Sequence, residues 1–113
     1  MALTKEMVRD RMKEKSTVVL DVLGSEAYQK LHIKGSDNLP LGDNPSDFTK
    51  AVESRYGKDK FFITYCAGYD CSAGPNAAKV LKDNGFRAED YPGGIKEWSE
   101  SGFPSEGSMA TAA

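Results

Sequence analysis

The first apolar pattern along the chain has helical spacing. Met7, Val8 and Met12 recur behind Thr4, which can accept the N–H groups that open a helix, and Leu3 is placed to staple onto Val8. The period then changes. Val18-Val19-Leu20-Asp21-Val22 is a short β-branched apolar run, the mark of a buried strand. Gly24-Ser25 breaks it, and Ser25 is expected to cap a short helix running through Tyr28 and Leu31. His32-Ile33-Lys34-Gly35-Ser36 and Asn38-Leu39-Pro40-Leu41 read as loop and strand fragments, and Gly42-Asp43-Asn44-Pro45-Ser46 as a dense turn. Phe48, Val52 and Tyr56 then fall on one face of a helix that Gly57 ends.

Phe61-Phe62-Ile63-Thr64-Tyr65 is a second buried strand, and it runs straight into Cys66. A helix is expected from about Ser72 to Asn84, with Pro75 tolerable only in its first turn and Gly85 as the stop. Ala88 to Tyr91 can form one more short strand, and Pro92-Gly93-Gly94 turns into a last helix from Ile95 to about Ser101. Strands alternating with helices predict an α/β fold: a central, mainly parallel sheet with helices on both faces. The domain is expected to cover residues 1–104. Residues 105–113, small and polar, are expected to form a flexible tail.

Composition narrows the classes of function. The chain has 113 residues, enough for one compact domain, and 39% hydrophobic with 28% charged residues is ordinary for a globular protein. With 15 basic against 17 acidic residues the net charge is −2, so no field draws the protein to nucleic acid or an anionic membrane, and neither is expected as a partner. No stretch approaches the roughly 20 apolar residues of a membrane span. Met1 to Lys15 lacks the apolar block of a secretory signal, so a cytoplasmic location is expected. Two cysteines and one histidine are too few for a disulfide framework or a four-ligand zinc site. No metal or cofactor is expected, and reactive thiol chemistry stays open.

In an open parallel sheet, ligands bind beyond the carboxyl ends of the strands, where loops lead into helices. Cys66 occupies that position. The intervening Ala67-Gly68-Tyr69-Asp70-Cys71 must curl tightly, so that its peptide N–H groups converge above the sulfur, with Gly68 relieving the steric limits of the curl. A helix N-terminus beneath adds roughly half a positive charge and free donors. Such a cradle stabilises a thiolate and any anion attached to it. The alternative for a cysteine after a strand is a small buried hydrophobe.

The chain resembles a rhodanese-like domain over nearly its whole length. The matching segments are Val19-Leu20-Asp21-Val22, Glu26-x-Tyr28 leading to His32-Ile33-x-Gly35-Ser36, and Asn38-Leu39-Pro40-Leu41. They continue with Tyr65-Cys66-Ala67, Ser72-Ala73, Gly85-Phe86, Gly93-Gly94-Ile95-x-x-Trp98 and Gly102-Phe103-Pro104. The resemblance implies the rhodanese α/β fold, with Cys66 as the sulfur-carrying nucleophile. It also implies a sulfur and anion cradle built from the amides of Ala67, Gly68, Tyr69, Asp70 and Cys71, with Ser72 at the helix entrance. The expected partners are a small sulfane-sulfur donor or a persulfidated protein, and a thiol or protein acceptor.

Related cysteine-dependent phosphatases place an arginine six residues after the nucleophile, where this chain has Ser72. The loop holds no Lys or Arg and Asp70 adds negative charge, so phosphate ester hydrolysis is not expected. For sulfur transfer, lowering the thiol pKa to about 6.5 would raise the thiolate fraction at neutral pH roughly 25-fold. Lower basicity returns roughly 8-fold of that, so positioning and charge stabilisation must supply more.

Two departures from the family pattern matter. Cys71 stands where many members have a basic residue, and Leu23 follows Asp21-Val22 in place of an arginine, so thiosulfate is expected to be a poor donor. Cys71 either lines the loop or acts as a resolving thiol. A weakly catalytic interaction module and a thiol sensor using both cysteines are the alternatives for the whole chain. His32 and Trp98 are expected to be structural, Asp21 to accept loop hydrogen bonds, and Tyr69 to guard the entrance or touch a partner.

Overall fold

The computed structural model describes residues 2–110. The first helix, α1 (Lys5–Arg11), is capped as its sequence predicts, the Thr4 hydroxyl accepting from the Met7 N–H at 3.2 Å. It leads through a turn to β1 (Thr17–Asp21), α2 (Ser25–Lys30), and two short strands, β2 (His32–Ile33) and β3 (Asp37–Asn38). Next come α3 (Pro45–Tyr56), β4 (Phe61–Tyr65), α4 (Ala73–Asp83), β5 (Arg87–Asp90), α5 (Gly94–Glu100) and β6 (Ser105–Glu106).

Four strands form an all-parallel sheet in the order β3-β1-β4-β5, with Val19 beside Ile63 and Ile63 beside Glu89. The two-residue period of the strands divides their side chains between two cores. Leu20, Val22, Phe62 and Ala88 pack with Phe48 and Val52 of α3 and Ala77 and Leu81 of α4. Val19, Ile63 and Tyr65 pack on the opposite face with Val8 of α1 and Ile95 and Trp98 of α5. The fold is α/β with helices on both faces of a parallel sheet. No helix among the described residues is long and apolar enough to cross a membrane.

Two local expectations are corrected. The cap of α2 is Gly24, with no side-chain cap bond, and Ser25 is already the first helical residue. The tail expected from Ser105 onward is in part a structural element. Ser105–Glu106 pairs antiparallel with β2, and the N–H groups of Ser108 and Met109 reach the carbonyls of Gln29 (3.0 Å) and Lys30 (2.8 Å). Backbone pairing needs no large side chain, and the open edge of His32–Ile33 offers the partner. Residues 111–113 of the expected tail lie outside the described residues.

Candidate active site

The strand β4 is the best-anchored element of the sheet, paired on both sides by β1 and β5, and it delivers Cys66 at its carboxyl end. Phe62, Thr64 and Cys66 alternate onto the face covered by α3 and α4, so the Cys66 side chain enters the first core and is only 3% exposed. There it meets the start of α4. The Gly74 N–H donates to Cys66 Sγ at 3.2 Å.

The composition of that helix start explains the aim. The first N–H groups of a helix have no partner within it. Pro75 has no N–H, and Asn76 already bonds the Ser72 carbonyl at 3.0 Å, so Ala73 and Gly74 carry the free donors nearest the sulfurs. Thr64, fully buried, fixes the helix against the sheet: its hydroxyl donates to the Gly74 carbonyl at 2.9 Å and lies 3.2 Å from Asp90 Oδ1. A side chain at position 74 would collide with that carboxylate, so Gly74 is dictated by close approach.

The loop itself is a single tight turn. The Cys71 N–H bonds the Gly68 carbonyl at 3.0 Å, so this amide is spent inside the turn and does not point at Cys66. Of the donors expected from residues 67 to 71, the Cys71 amide is therefore excluded. The amide that hydrogen-bonds Cys66 Sγ is that of Gly74, while the nearby Ala67 and Ala73 amides favour the charged forms, Ala67 for both thiols and Ala73 for Cys71. Tyr69 stands at the turn with 72% exposure, its hydroxyl donating to Glu97 Oε2 at 3.0 Å. Ala67, Asp70 and Ser72 are exposed, and Ser72 makes no side-chain cap bond. The turn is held from the other side by α5, whose Ile95 and Lys96 N–H groups donate to the carbonyls of Cys66 and Ala67, each at 3.0 Å.

The two thiols ionise in the opposite sense to the simple expectation for a nucleophile. Burial pushes the Cys66 thiol up to about 12, with the neighbouring Cys71 adding to the rise and the Gly74 and Ala67 amides opposing it. Burial also works against Cys71. There the Cys66 thiol and the amides of Ala67, Ala73 and Gly74 outweigh it, and Cys71 is held below the usual thiol range. The first proton of the pair thus leaves from Cys71, which is half-buried and nearer solvent.

A cavity of about 590 Å3 opens over the turn, walled by residues 67–71 together with Leu31, Ile95, Lys96 and Ser99. Cys71 forms part of this wall, whereas the buried Cys66 does not line it. Lys96 is the residue that sequence reasoning missed. A whole helix and a strand separate it from Cys71 in the chain, it belongs to no recognisable motif, and only the Gly93-Gly94 turn into α5 hinted that this helix docks on the loop. Its ammonium is 2.8 Å from Glu100, so that charge is already partnered. A larger depression of about 800 Å3 lies between the end of α5 and β6; it adjoins the first through Leu31 and Ser99, and neither cysteine lines it.

The other candidates have structural duties. His32 stacks on Tyr28 at 3.7 Å between centroids, and its Nδ1 lies 2.6 Å from the Tyr28 carbonyl. Asp21 Oδ1 accepts from the Leu23 N–H at 3.0 Å, as a loop-ordering role requires. Trp98 is 2% exposed and donates to the Pro104 carbonyl at 2.7 Å.

Known proteins resemble this chain in sequence or in fold. The HTH-type transcriptional regulator Rv0324 of Mycobacterium tuberculosis is 26% identical over 103 residues, which are 91% of this chain but 43% of the regulator, so the chain spans less than half of that relative. The BH2092 protein of Bacillus halodurans superposes with a TM-score of 0.84 at 28% identity, covering 99% of this chain and 80% of that one. The rhodanese-like domain of the Anabaena Alr3790 protein gives a TM-score of 0.80 at 23% identity over 99% of this chain and 83% of that one. The family model for the rhodanese-like domain matches residues 4–101, and with the sheet order, the cysteine at the end of β4 and the helix start beneath it, this chain belongs to the rhodanese-like domain family.

Proposed function

We propose that the chain moves sulfane sulfur, with Cys66 as the carrier. The observation that supports this most is the 3.2 Å contact from the Gly74 N–H to Cys66 Sγ, at the point where a parallel strand meets a helix N-terminus. Cys66 attacks the outer sulfur of a persulfide donor, the donor's S–S bond breaks, and its thiol departs with the proton that Cys66 gives up. Cys66 then carries the persulfide until an acceptor thiol takes the outer sulfur. Because burial raises the proton affinity of Cys66, a large resting thiolate population is not the source of rate. The fixed amides stabilise charge as it develops on the sulfurs, and the pocket positions the donor.

The donor is a small persulfide or a persulfidated protein, and the acceptor a thiol on a small molecule or a protein. Thiosulfate is a poor substrate in this reading. A dianion needs cations, the loop has none, Asp70 is exposed beside the entrance, and Lys96 is paired with Glu100. Transfer to cyanide, read as thiocyanate, is expected to be far more efficient from glutathione persulfide than from thiosulfate. Equal efficiencies would remove this claim.

The central test is mass spectrometry of the cysteine peptide after treatment with glutathione persulfide. One added sulfur on Cys66 in Cys71→Ser, absent from Cys66→Ala, is the expected result. No adduct on Cys66 overturns the carrier role. It would favour a second reading, a regulatory or interaction module, which the similarity to a transcriptional regulator and the exposed Tyr69 support.

A further inference from the structure

Cys66 and Cys71 are five positions apart, and the turn at residues 68–71 folds the chain back so that Cys71 packs against the core cluster that contains Cys66. The surroundings of the two sulfurs overlap. The amides of Ala67 and Gly74 act on both, and that of Ala73 on Cys71 as well. Their access differs. Cys66 is sealed beneath the loop, whereas Cys71 forms part of the cavity wall. A sulfur that ionises readily, beside one that carries a leaving group, is the arrangement needed for thiol–disulfide chemistry within the chain.

We propose that Cys71 is a resolving thiol: its thiolate attacks Sγ of the Cys66 persulfide, the bond from Sγ to the outer sulfur breaks, and a Cys66–Cys71 disulfide closes. This rests on the carrier role of Cys66. The outer sulfur leaves as hydrosulfide, taking the electron pair of the broken bond and keeping its proton. Cys71 sulfur is oxidised and the outer sulfur reduced, so the step needs no external oxidant. Two molecules of a small thiol such as glutathione return the pair to the dithiol and depart as their own disulfide. A disulfide requires Cα atoms within about 7 Å. The turn closed at 3.0 Å from the Cys71 N–H to the Gly68 carbonyl brings Cys71 back beside a residue only two positions from Cys66, and the two side chains pack in one core cluster. The consequence is that incoming sulfane sulfur ends as hydrosulfide and an oxidised domain unless an external acceptor reaches the persulfide first.

The test uses the full chain, reduced, freed of reductant and given stoichiometric glutathione persulfide without oxygen. Hydrosulfide release is measured alongside intact mass after alkylation of free thiols. The wild-type chain is expected to release hydrosulfide stoichiometrically, to lose two hydrogens and to leave neither cysteine alkylated. Cys71→Ser, and Cys71→Ala as a second variant with circular dichroism to confirm folding, are expected to keep the added sulfur on Cys66 and release none. A wild-type chain that retains the sulfur on Cys66, or carries it on Cys71, overturns the resolving role while leaving sulfur carriage intact. If the Cys71 variants take up no sulfur at all, the carrier reading itself fails.

Discussion

Gly94 is the point at which α5 touches the reactive loop, and replacing it separates two costs that are usually mixed. Its φ is +62°, a left-handed conformation that costs a residue with a Cβ about 1–2 kcal/mol. A Cβ there would also press into the backbone of the loop, against the Cys66 carbonyl oxygen, and 2.8 Å from both the Ala67 carbonyl carbon and the Gly68 nitrogen. These are backbone atoms tied down by the Ile95 and Lys96 hydrogen bonds, so the loop must shift, and overpacking of this kind costs about 1–3 kcal/mol. Gly94→Ala is therefore expected to destabilise by about 2–5 kcal/mol in all. Gly102 is the control. Its φ is +80°, but nothing lies within 4 Å of its added Cβ, so Gly102→Ala carries only the conformational cost. In urea unfolding the Gly94 variant should have the lower midpoint of the two, by roughly 1 M. It should also lose sulfur uptake at Cys66, because the carbonyls that α5 holds belong to the loop. Coincident midpoints would show that α5 does not bear on the loop, and the account of how the site is held would be wrong.

Three further outcomes follow from the same geometry. Tyr65→Phe leaves the buried Ile33 N–H without the phenolic oxygen it donates to at 3.0 Å and leaves Ser36 Oγ only its bond to the Ile33 carbonyl, so thermal unfolding should report a loss of about 1–3 kcal/mol. Burial lifts the Asp90 carboxyl to about 6, against a slight opposing pull from Thr64. At this carboxyl the folded state then binds more protons than the unfolded one between 3.8 and about 6, so the Asp90 contribution to stability falls as pH rises through that window and is level outside it. Asp21, also raised by burial, adds slope of the same sign, and Asp90→Asn should remove only its own share, of order 1 kcal/mol after discounting for partial exposure. Brief iodoacetamide treatment at neutral pH should label Cys71 before Cys66, read by peptide mapping; the reverse order would contradict the assignment of the first proton to Cys71.

The long elements were legible because their side chains report burial directly. The apolar runs of β1 and β4 have no exposed face, and the spacing of Phe48, Val52 and Tyr56 marks α3. Of the two-residue strands, β2 and β3 read only as loop and strand fragments and β6 not at all, because their existence depends on where a partner backbone lies and hardly on their own side chains. For the same reason the small, polar stretch after Pro104 read as a tail. At the site, the position of Cys66 followed from strand, loop and helix, and the family motifs placed it further. Its donors did not follow. The loop was long enough to suggest a ring of amides, yet a single turn consumes the Cys71 N–H, and the donor that reaches Sγ is Gly74, outside the loop. The direction of the Cys66 pKa was within reach of the sequence all the same. Counting by twos from Phe62 puts Cys66 on a core-facing position, where burial disfavours the charged form.

That alternation also explains why the two cysteines sit in different surroundings. A strand that continues straight into the reactive residue buries its sulfur with Phe62 and Thr64, which protects it and raises its proton affinity. Five residues later the chain has completed one turn and stands at the rim, where Cys71 shares the helix donors without sharing the burial. Pro75 confines those donors to the start of α4, so the charge that one sulfur places there is charge the other cannot. A persulfide on Cys66 and a thiolate on Cys71 therefore compete for the same stabilisation. If Cys66 carries sulfur as proposed, closure of the Cys66–Cys71 disulfide would relieve that competition by removing the charge from both cysteine sulfurs.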